Sequence, residues 1–288
     1  MQRSTSARAD LGVVEFLVWP LIGLGALAVA EVFARRAGVV IPDSLSGSIF
    51  YALWGVWVVR RARGAHVGLD LRALTAAPRR ARDWWFLLLV IPLVVVSVAA
   101  LYLLVLGASL VAPRTIGHWL TAPDADLAAG TPTALAFTGM AAENALGAVT
   151  EELVFRGVLL HLWAQRFGVR FAVLATSLLF AVMHADVVGS FIFGVVMAAL
   201  FMRTGTLLVP IIVHFLFNVL VDVVGVFDKD PRSVVTLAEL RGDWWQASVA
   251  FVLALAVIVV VLRRARPLRG WDGQRPLGRA PMTKEIGR

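Results

Sequence analysis

The sequence predicts an all-α fold, a polytopic membrane helix bundle with about eight transmembrane helices. Hydrophobic residues make up 59% of the 288 positions, the mean hydropathy is +0.82, and only 16% of residues are charged. Soluble domains carry about 25% charged residues. The apolar residues fall in long runs, and a helix of about 20 such residues crosses a hydrocarbon core about 30 Å thick. These observations exclude a water-soluble globular domain.

Eight apolar runs account for the predicted crossings. The first run is longer than the apolar region of a signal peptide, which favours a retained helix over a cleaved one. No internal repeat supports a transporter fold. The predicted crossings are Leu11–Ala34, Val39–Val59, Trp84–Ala112, Pro132–Gln165, Phe171–His184, Gly189–Met202, Gly205–Phe227 and Trp244–Leu262.

The positions of Lys and Arg predict the orientation, since cytoplasmic loops are enriched in them. With the N-terminus inside, 20 of the 27 basic residues fall in cytoplasmic segments and 6 fall in the outer loops 35–45, 113–131, 185–188 and 228–243. The protein is therefore expected to be a multi-pass protein of the cell membrane, with both termini in the cytoplasm. The net charge of +8 is explained by these flanks, so no nucleic-acid partner is expected.

The domain organisation is simple. Residues 1–262 are predicted to form a single integral membrane domain, with a chemically distinctive core at about 143–222. Residues 263–288 form a basic tail that is predicted to be disordered in the cytoplasm. The chain has no cysteine, which excludes disulfides, thiolate metal sites and a thiol nucleophile.

Ionisable side chains inside the crossings point to a functional site, because their burial in a bilayer is costly. Glu151, Glu152 and Arg156 lie in the fourth crossing, His184 ends the fifth, and His214 is in the seventh, followed one turn later by Asn218. The alternative is that these polar groups only join helices by hydrogen bonds.

Their spacing and depth favour a site. Glu152 and Arg156 are four residues apart and can pair on one helix face, whereas Glu151 is turned away by about 100° and is left free. At about 1.5 Å per residue from the cytoplasmic ends, the carboxylate of Glu151, both imidazoles and the Asn218 amide lie some 16–23 Å deep. Three crossings thus bring polar groups to one level.

This inventory suits a hydrolase acting on a carbonyl. Glu151 can take a proton from water, a histidine can orient that water, and His214 with Asn218 can donate hydrogen bonds to the oxyanion. The same side chains also match a site in which Glu151 and both histidines bind zinc or another divalent metal. The residues alone leave both mechanisms open.

Three motifs in order resemble those of a known family. Residues 151–157 read EELVFRG, residues 180–184 read FAVMH, and residues 214–218 read HFLFN. They are similar to the EExxxR, FxxxH and HxxxN/D motifs of the CPBP family, the CAAX protease and bacteriocin-processing (Abi) intramembrane endopeptidases. The stretch from Arg203 through Pro210 to His214 also resembles that family's approach to its third motif.

The resemblance implies an intramembrane endopeptidase with Glu151 as general base, His184 beside the water, and His214 and Asn218 as oxyanion donors; Glu152 and Arg156 support them. A glutamate-dependent mechanism without a cofactor is expected, because an Asn one turn from His214 suits oxyanion binding better than metal ligation. The alternative class is a non-catalytic membrane protein, such as a bacteriocin-immunity scaffold or an accessory subunit. All motif residues are present, which favours catalysis.

The expected substrate is a membrane-associated protein or peptide. Eukaryotic members of the family cleave prenylated CAAX proteins, but the Arg-, Ala- and Val-rich composition is typical of bacteria, where prenylated substrates are not expected.

Overall fold

The computed structural model describes residues 3–39, 41–64, 71–78, 80–120, 133–228 and 237–264, and the regular elements in these ranges are all helical. The predicted tail beyond 264 lies outside the described residues. The first helices are α1 (Arg3–Arg36), α2 (Asp43–Gly64), α3 (Leu71–Leu74), a 3-10 helix (Ala81–Leu89), α4 (Val90–Val111) and α5 (Pro113–Leu120). They are followed by α6 (Thr133–Glu152), a π-helix (Leu153–Leu159), α7 (Leu160–Phe167), α8 (Val169–Val182), α9 (Val187–Thr204), α10 (Leu208–Asp228), α11 (Leu237–Gly242) and α12 (Trp244–Arg264).

The predicted fold class, an all-α membrane bundle, is confirmed. Helices cover each of the eight predicted crossings, and α3, α5 and α11 are short helices within segments predicted as loops. By length and composition, four helical segments of the described chain are able to cross a membrane, and two apolar helices are shorter. The count of eight crossings therefore stays a prediction. The four segments are Val18–Arg36, Ala81–Val111, Val187–Thr204 and Trp244–Arg264.

Most of the buried core comes from the second half of the chain, around the π-helix. All seven residues of this segment are buried, and α9 covers it together with α8. On the other side α4 packs against α9, α10 and α12, while α1 packs on α2. Because the π-helix follows directly on α6, this packing fixes the position of the acidic pair that ends α6.

Helices α2 and α6 approach each other closely through glycines. A Cβ at Gly55 would lie 2.7 Å from the Thr150 hydroxyl, and one at Gly147 would lie 3.2 Å from the ring of Tyr51. The contacts advance in the same direction along both helices, from Ser44 beside Gly139 to Gly55 beside Thr150, so the two helices run parallel. The predicted topology requires this, since the second and fourth crossings have the same direction.

The turn between α8 and α9 lies beside the middle of a longer helical segment. The Ser97 hydroxyl donates to the Asp186 carboxylate over 2.5 Å, and Ser97 is near the centre of the segment Ala81–Val111. Helix α8 has 14 residues and a length of about 21 Å, which is less than the thickness of a hydrocarbon core. The placement of residues 185–188 in an outer loop stays a prediction.

Candidate active site

A change of helix type follows the acidic pair. The α-helical pattern ends at Glu152, and the Leu160 backbone N–H bonds the Phe155 carbonyl, five residues earlier. The Arg156 carbonyl lies 3.1 Å from Nδ1 of His161. Single π turns inside α-helices occur frequently at functional sites. The segment that carries the first motif therefore has both the burial and the irregular backbone of such a site.

The ion pair predicted between Glu152 and Arg156 is present. The guanidinium Nη1 lies 2.8 Å from Glu152 Oε1, and the two side chains are 1% and 0% exposed. Arg156 Nη2 also donates to the Gly194 carbonyl over 3.1 Å. The same Glu152 oxygen accepts a hydrogen bond of 2.9 Å from Nδ1 of His214. Glu152 thus joins the first motif to the third.

Glu151 is free of that pair, as predicted, and faces both histidines. Its Oε2 lies 3.7 Å from Nε2 of His214 and 4.0 Å from Nε2 of His184. Its Oε1 accepts a hydrogen bond of 2.8 Å from the Tyr51 hydroxyl. Two predicted catalytic histidines, one from the turn after α8 and one from α10, therefore face the carboxylate of a third predicted residue, Glu151.

The hydrogen-bond partners fix which imidazole nitrogen carries the hydrogen. Nδ1 of His184 lies 2.8 Å from the Phe180 carbonyl, and Nδ1 of His214 faces the Glu152 carboxylate. Both partners are acceptors, so each Nδ1 is the donor and a neutral ring has its lone pair on Nε2. In each histidine, the nitrogen that faces Glu151 is then the one able to accept a proton.

Access to the cluster is uneven. The side chain of His184 is 35% exposed, whereas those of Glu151 and His214 are 7% and 3% exposed. The Phe180 ring stacks on His184 with the centroids 4.3 Å apart, and the edge of Phe193 packs against His214 at 4.8 Å. The aromatic rings fix both imidazoles, and a reactant reaches Glu151 from the side of His184.

The fourth predicted residue, Asn218, stands apart. It is half-buried one turn beyond His214, and it makes no hydrogen bond to any residue that the structure describes. One turn further, Asp222 accepts a hydrogen bond of 2.6 Å from the Asn144 amide. Asp222 therefore does not orient His214, whose Nδ1 is held by Glu152 instead.

A bound metal does not fit the side chains as they stand. Within the described ranges, no group of three or more His, Asp or Glu side chains is arranged to hold a metal ion. Adjacent ligand atoms of a tetrahedral zinc site with bonds of about 2.05 Å are about 3.4 Å apart. The separations of 3.7 and 4.0 Å at Glu151 Oε2 exceed this value. Metal binding by Glu151 and the histidines requires these groups to draw together.

Sequence reasoning missed two residues at the site. Tyr51 lies in α2, a hundred positions before Glu151, and Phe193 lies on α9 outside every motif. Only two tyrosines occur in the chain, and a hydroxyl within an apolar crossing needs a hydrogen-bond partner. The sequence therefore indicates that Tyr51 bonds another polar group inside the bundle. Phe193 carried no such signal, because nothing distinguishes it from other core phenylalanines.

Fold and site together define a class: polytopic all-helical membrane proteins with a glutamate–histidine cluster between their helices. Residues 133–220 match the family model of the type II CAAX prenyl endopeptidase Rce1-like proteins. The matched segment contains all three motifs, and the match confirms the predicted resemblance to the CPBP family. It supports a CAAX-protease-like intramembrane endopeptidase. Neither the curated proteins nor the solved structures include a significant match.

Proposed function

We propose that the protein is an intramembrane endopeptidase that hydrolyses a peptide bond of a membrane-associated protein or peptide by means of water activated by Glu151. The observation that carries the proposal is the convergence of three groups. Glu151 Oε2 faces Nε2 of both His184 and His214 within 4.0 Å, and His184 is the most exposed of the three side chains. A water molecule beside this oxygen has a carboxylate and an imidazole lone pair to accept its hydrogens.

The roles of the residues follow from their partners. Glu151 takes the proton of the attacking water, and His184, the most accessible of the three, orients that water through Nε2. His214 donates to the oxyanion from Nε2 after that nitrogen has accepted the water-derived proton from Glu151, 3.7 Å away, since its Nδ1 hydrogen stays directed at Glu152. Asn218 supplies a second donor one turn away. Glu152 accepts the hydrogen bond from Nδ1 of His214, and Arg156 pairs with the Glu152 carboxylate.

Two alternative proposals use the same residues. In one, Glu151, His184 and His214 would hold zinc or another divalent ion, which would supply Lewis acidity for activating water. In the other, the cluster has no catalytic role and the protein is a scaffold or accessory subunit. We favour the metal-free protease because the separations at Glu151 leave space for water and exceed those of a tetrahedral metal site.

The test compares the membrane proteomes, with C-termini mapped, of cells that carry the wild type, Glu151→Gln or Glu31→Gln. The last is a matched control, because it makes the same change in a half-buried residue of α1. New C-termini should appear with the wild type and the control and be absent with Glu151→Gln. Equal C-termini in all three strains would contradict the proposed activity.

A further inference from the structure

Tyr51 contacts the proposed general base from outside all three motifs. Its hydroxyl donates a hydrogen bond of 2.8 Å to Oε1 of Glu151, and this bond connects α2 to α6. Oε1 is not the oxygen that faces the histidines; that is Oε2. The phenol therefore occupies one carboxylate oxygen and leaves the other directed at the imidazoles.

The main chain and ring of Tyr51 are held as firmly as its hydroxyl. The Thr150 hydroxyl donates to the Tyr51 carbonyl over 3.0 Å, which fixes the backbone beside the neighbour of Glu151. The ring fits against Gly147, where a methyl group would lie only 3.2 Å away, and it stacks on Trp54 with the centroids 6.3 Å apart. A side chain fixed at three points presents its hydroxyl in one place.

We propose that Tyr51 is a positioning residue for Glu151: its hydroxyl sets the rotation of the carboxylate so that Oε2 faces the water site beside His184. This inference rests on the proposed function of Glu151. Without the phenol, Oε1 and Oε2 become equivalent acceptors, and the carboxylate is free to turn away from the histidines. Such an effect acts on the reacting geometry and not on substrate affinity.

The chain supplies its own control. Tyr102, the other tyrosine, donates to the Leu240 carbonyl over 2.6 Å, away from the cluster. Tyr51→Phe and Tyr102→Phe thus each remove one hydroxyl that donates one hydrogen bond, and each keeps the ring. Only the first removal touches Glu151.

Kinetics on the full-length protein in detergent test the positioning role. The probe is an internally quenched peptide that spans a cleavage site mapped by the comparison of membrane proteomes. Tyr51→Phe should lower kcat roughly 10- to 100-fold with KM unchanged, the range for loss of a hydrogen bond to a charged group, while Tyr102→Phe keeps both constants. Unchanged kcat in Tyr51→Phe beside an inactive Glu151→Gln would overturn the positioning role alone. Wild-type turnover by Glu151→Gln would overturn the proposed function.

A spectroscopic measurement tests the hydrogen bond without turnover. In the Tyr102→Phe protein with a tyrosine-free tag, Tyr51 is the sole tyrosine, so ultraviolet resonance Raman bands of tyrosine report on it alone. Adding Glu151→Gln should shift these bands toward those of a weaker donor, because an amide accepts less strongly than a carboxylate. Adding Glu31→Gln should leave them unchanged. Identical bands in all three proteins would show that Tyr51 does not bond Glu151, and would overturn the proposal.

Discussion

Glu152 Oε1 accepts hydrogen bonds from both Arg156, over 2.8 Å, and His214, over 2.9 Å. One buried oxygen therefore couples the charge balance of the bundle to the orientation of an imidazole at the candidate site. Because a guanidinium only donates, the Glu152 oxygen that Arg156 contacts is an acceptor, and this fixes the hydrogen of His214 on Nδ1. Glu152 Oε1 thus contributes both to stability, through Arg156, and to activity, through His214. Substitutions of these residues test the two contributions separately.

Arg156→Ala should destabilise the protein, because it leaves the Glu152 charge buried without its cation, at a cost of about 3–5 kcal/mol. The double variant Glu152→Gln/Arg156→Met removes both charges at similar volume and should recover most of the lost thermal stability in detergent. Turnover by the double variant should stay about 10- to 100-fold low, since His214 has lost a charged acceptor. Arg170→Ala, at an exposed position, is the control. Wild-type thermal stability in an inactive Arg156→Ala protein would instead place Arg156 in the catalytic set.

Gly189→Ala should displace the turn that carries His184. An added Cβ would lie 2.7 Å from the Ser97 backbone and would also meet the Asp186 carboxylate, which the Gly189 N–H and the Ser97 hydroxyl hold in place. We expect a lower unfolding temperature and a loss of turnover. Gly107→Ala on α4 meets no atom within 4 Å and should be neutral or slightly stabilising. Wild-type stability and turnover in Gly189→Ala would show that α4 and α9 are not so closely packed.

Asn218→Ala should remain detectably active, with turnover lowered about 10²- to 10³-fold, the usual effect of removing one oxyanion donor. Glu151→Gln should lose about 10²- to 10⁴-fold as a general base does. Steady-state turnover of one peptide by both variants gives the comparison. An Asn218→Ala protein with wild-type kcat would remove Asn218 from the oxyanion site, which is also the result that a metal-bound mechanism predicts.

The topology is tested by reporter fusions. Fusions after residues 80 and 270 should report the cytoplasm, and fusions after residues 122 and 236 should report the outside, because the basic residues are distributed 20 to 6. The short hairpin of α8 and α9 does not alter this expectation, since two crossings or none leave the flanking segments on the same side. An external C-terminus would contradict the predicted arrangement.

The sequence predicts the helical bundle and the site core because both rest on local rules. Apolar runs predict helices, and the i,i+4 spacing predicts the pair of Glu152 with Arg156, which the structure shows at 2.8 Å. A rise of about 1.5 Å per residue, counted from the cytoplasmic ends of the crossings, also predicts that Glu151 lies at the same depth as both histidines. These inferences need no knowledge of how the helices pack.

What the sequence does not predict depends on packing. The bond from Glu152 to His214 joins positions 62 residues apart, and that from Tyr51 to Glu151 joins positions 100 apart. The change from α-helix to π-helix at Leu153 is not signalled by any periodicity of the apolar residues. The contact of Asp186 with Ser97, which positions the α8–α9 turn beside α4, joins positions 89 residues apart.

The central claim is that Glu151 activates water without a metal. Its most direct test is the turnover of the quenched peptide by full-length protein that has been exhaustively chelated, with elemental analysis of the same sample. We expect metal-free protein to keep wild-type turnover, added zinc not to raise it, and Glu151→Gln to abolish it. Complete inactivation by chelation, reversed by one equivalent of metal, would contradict the claim and make Glu151, His184 and His214 metal ligands.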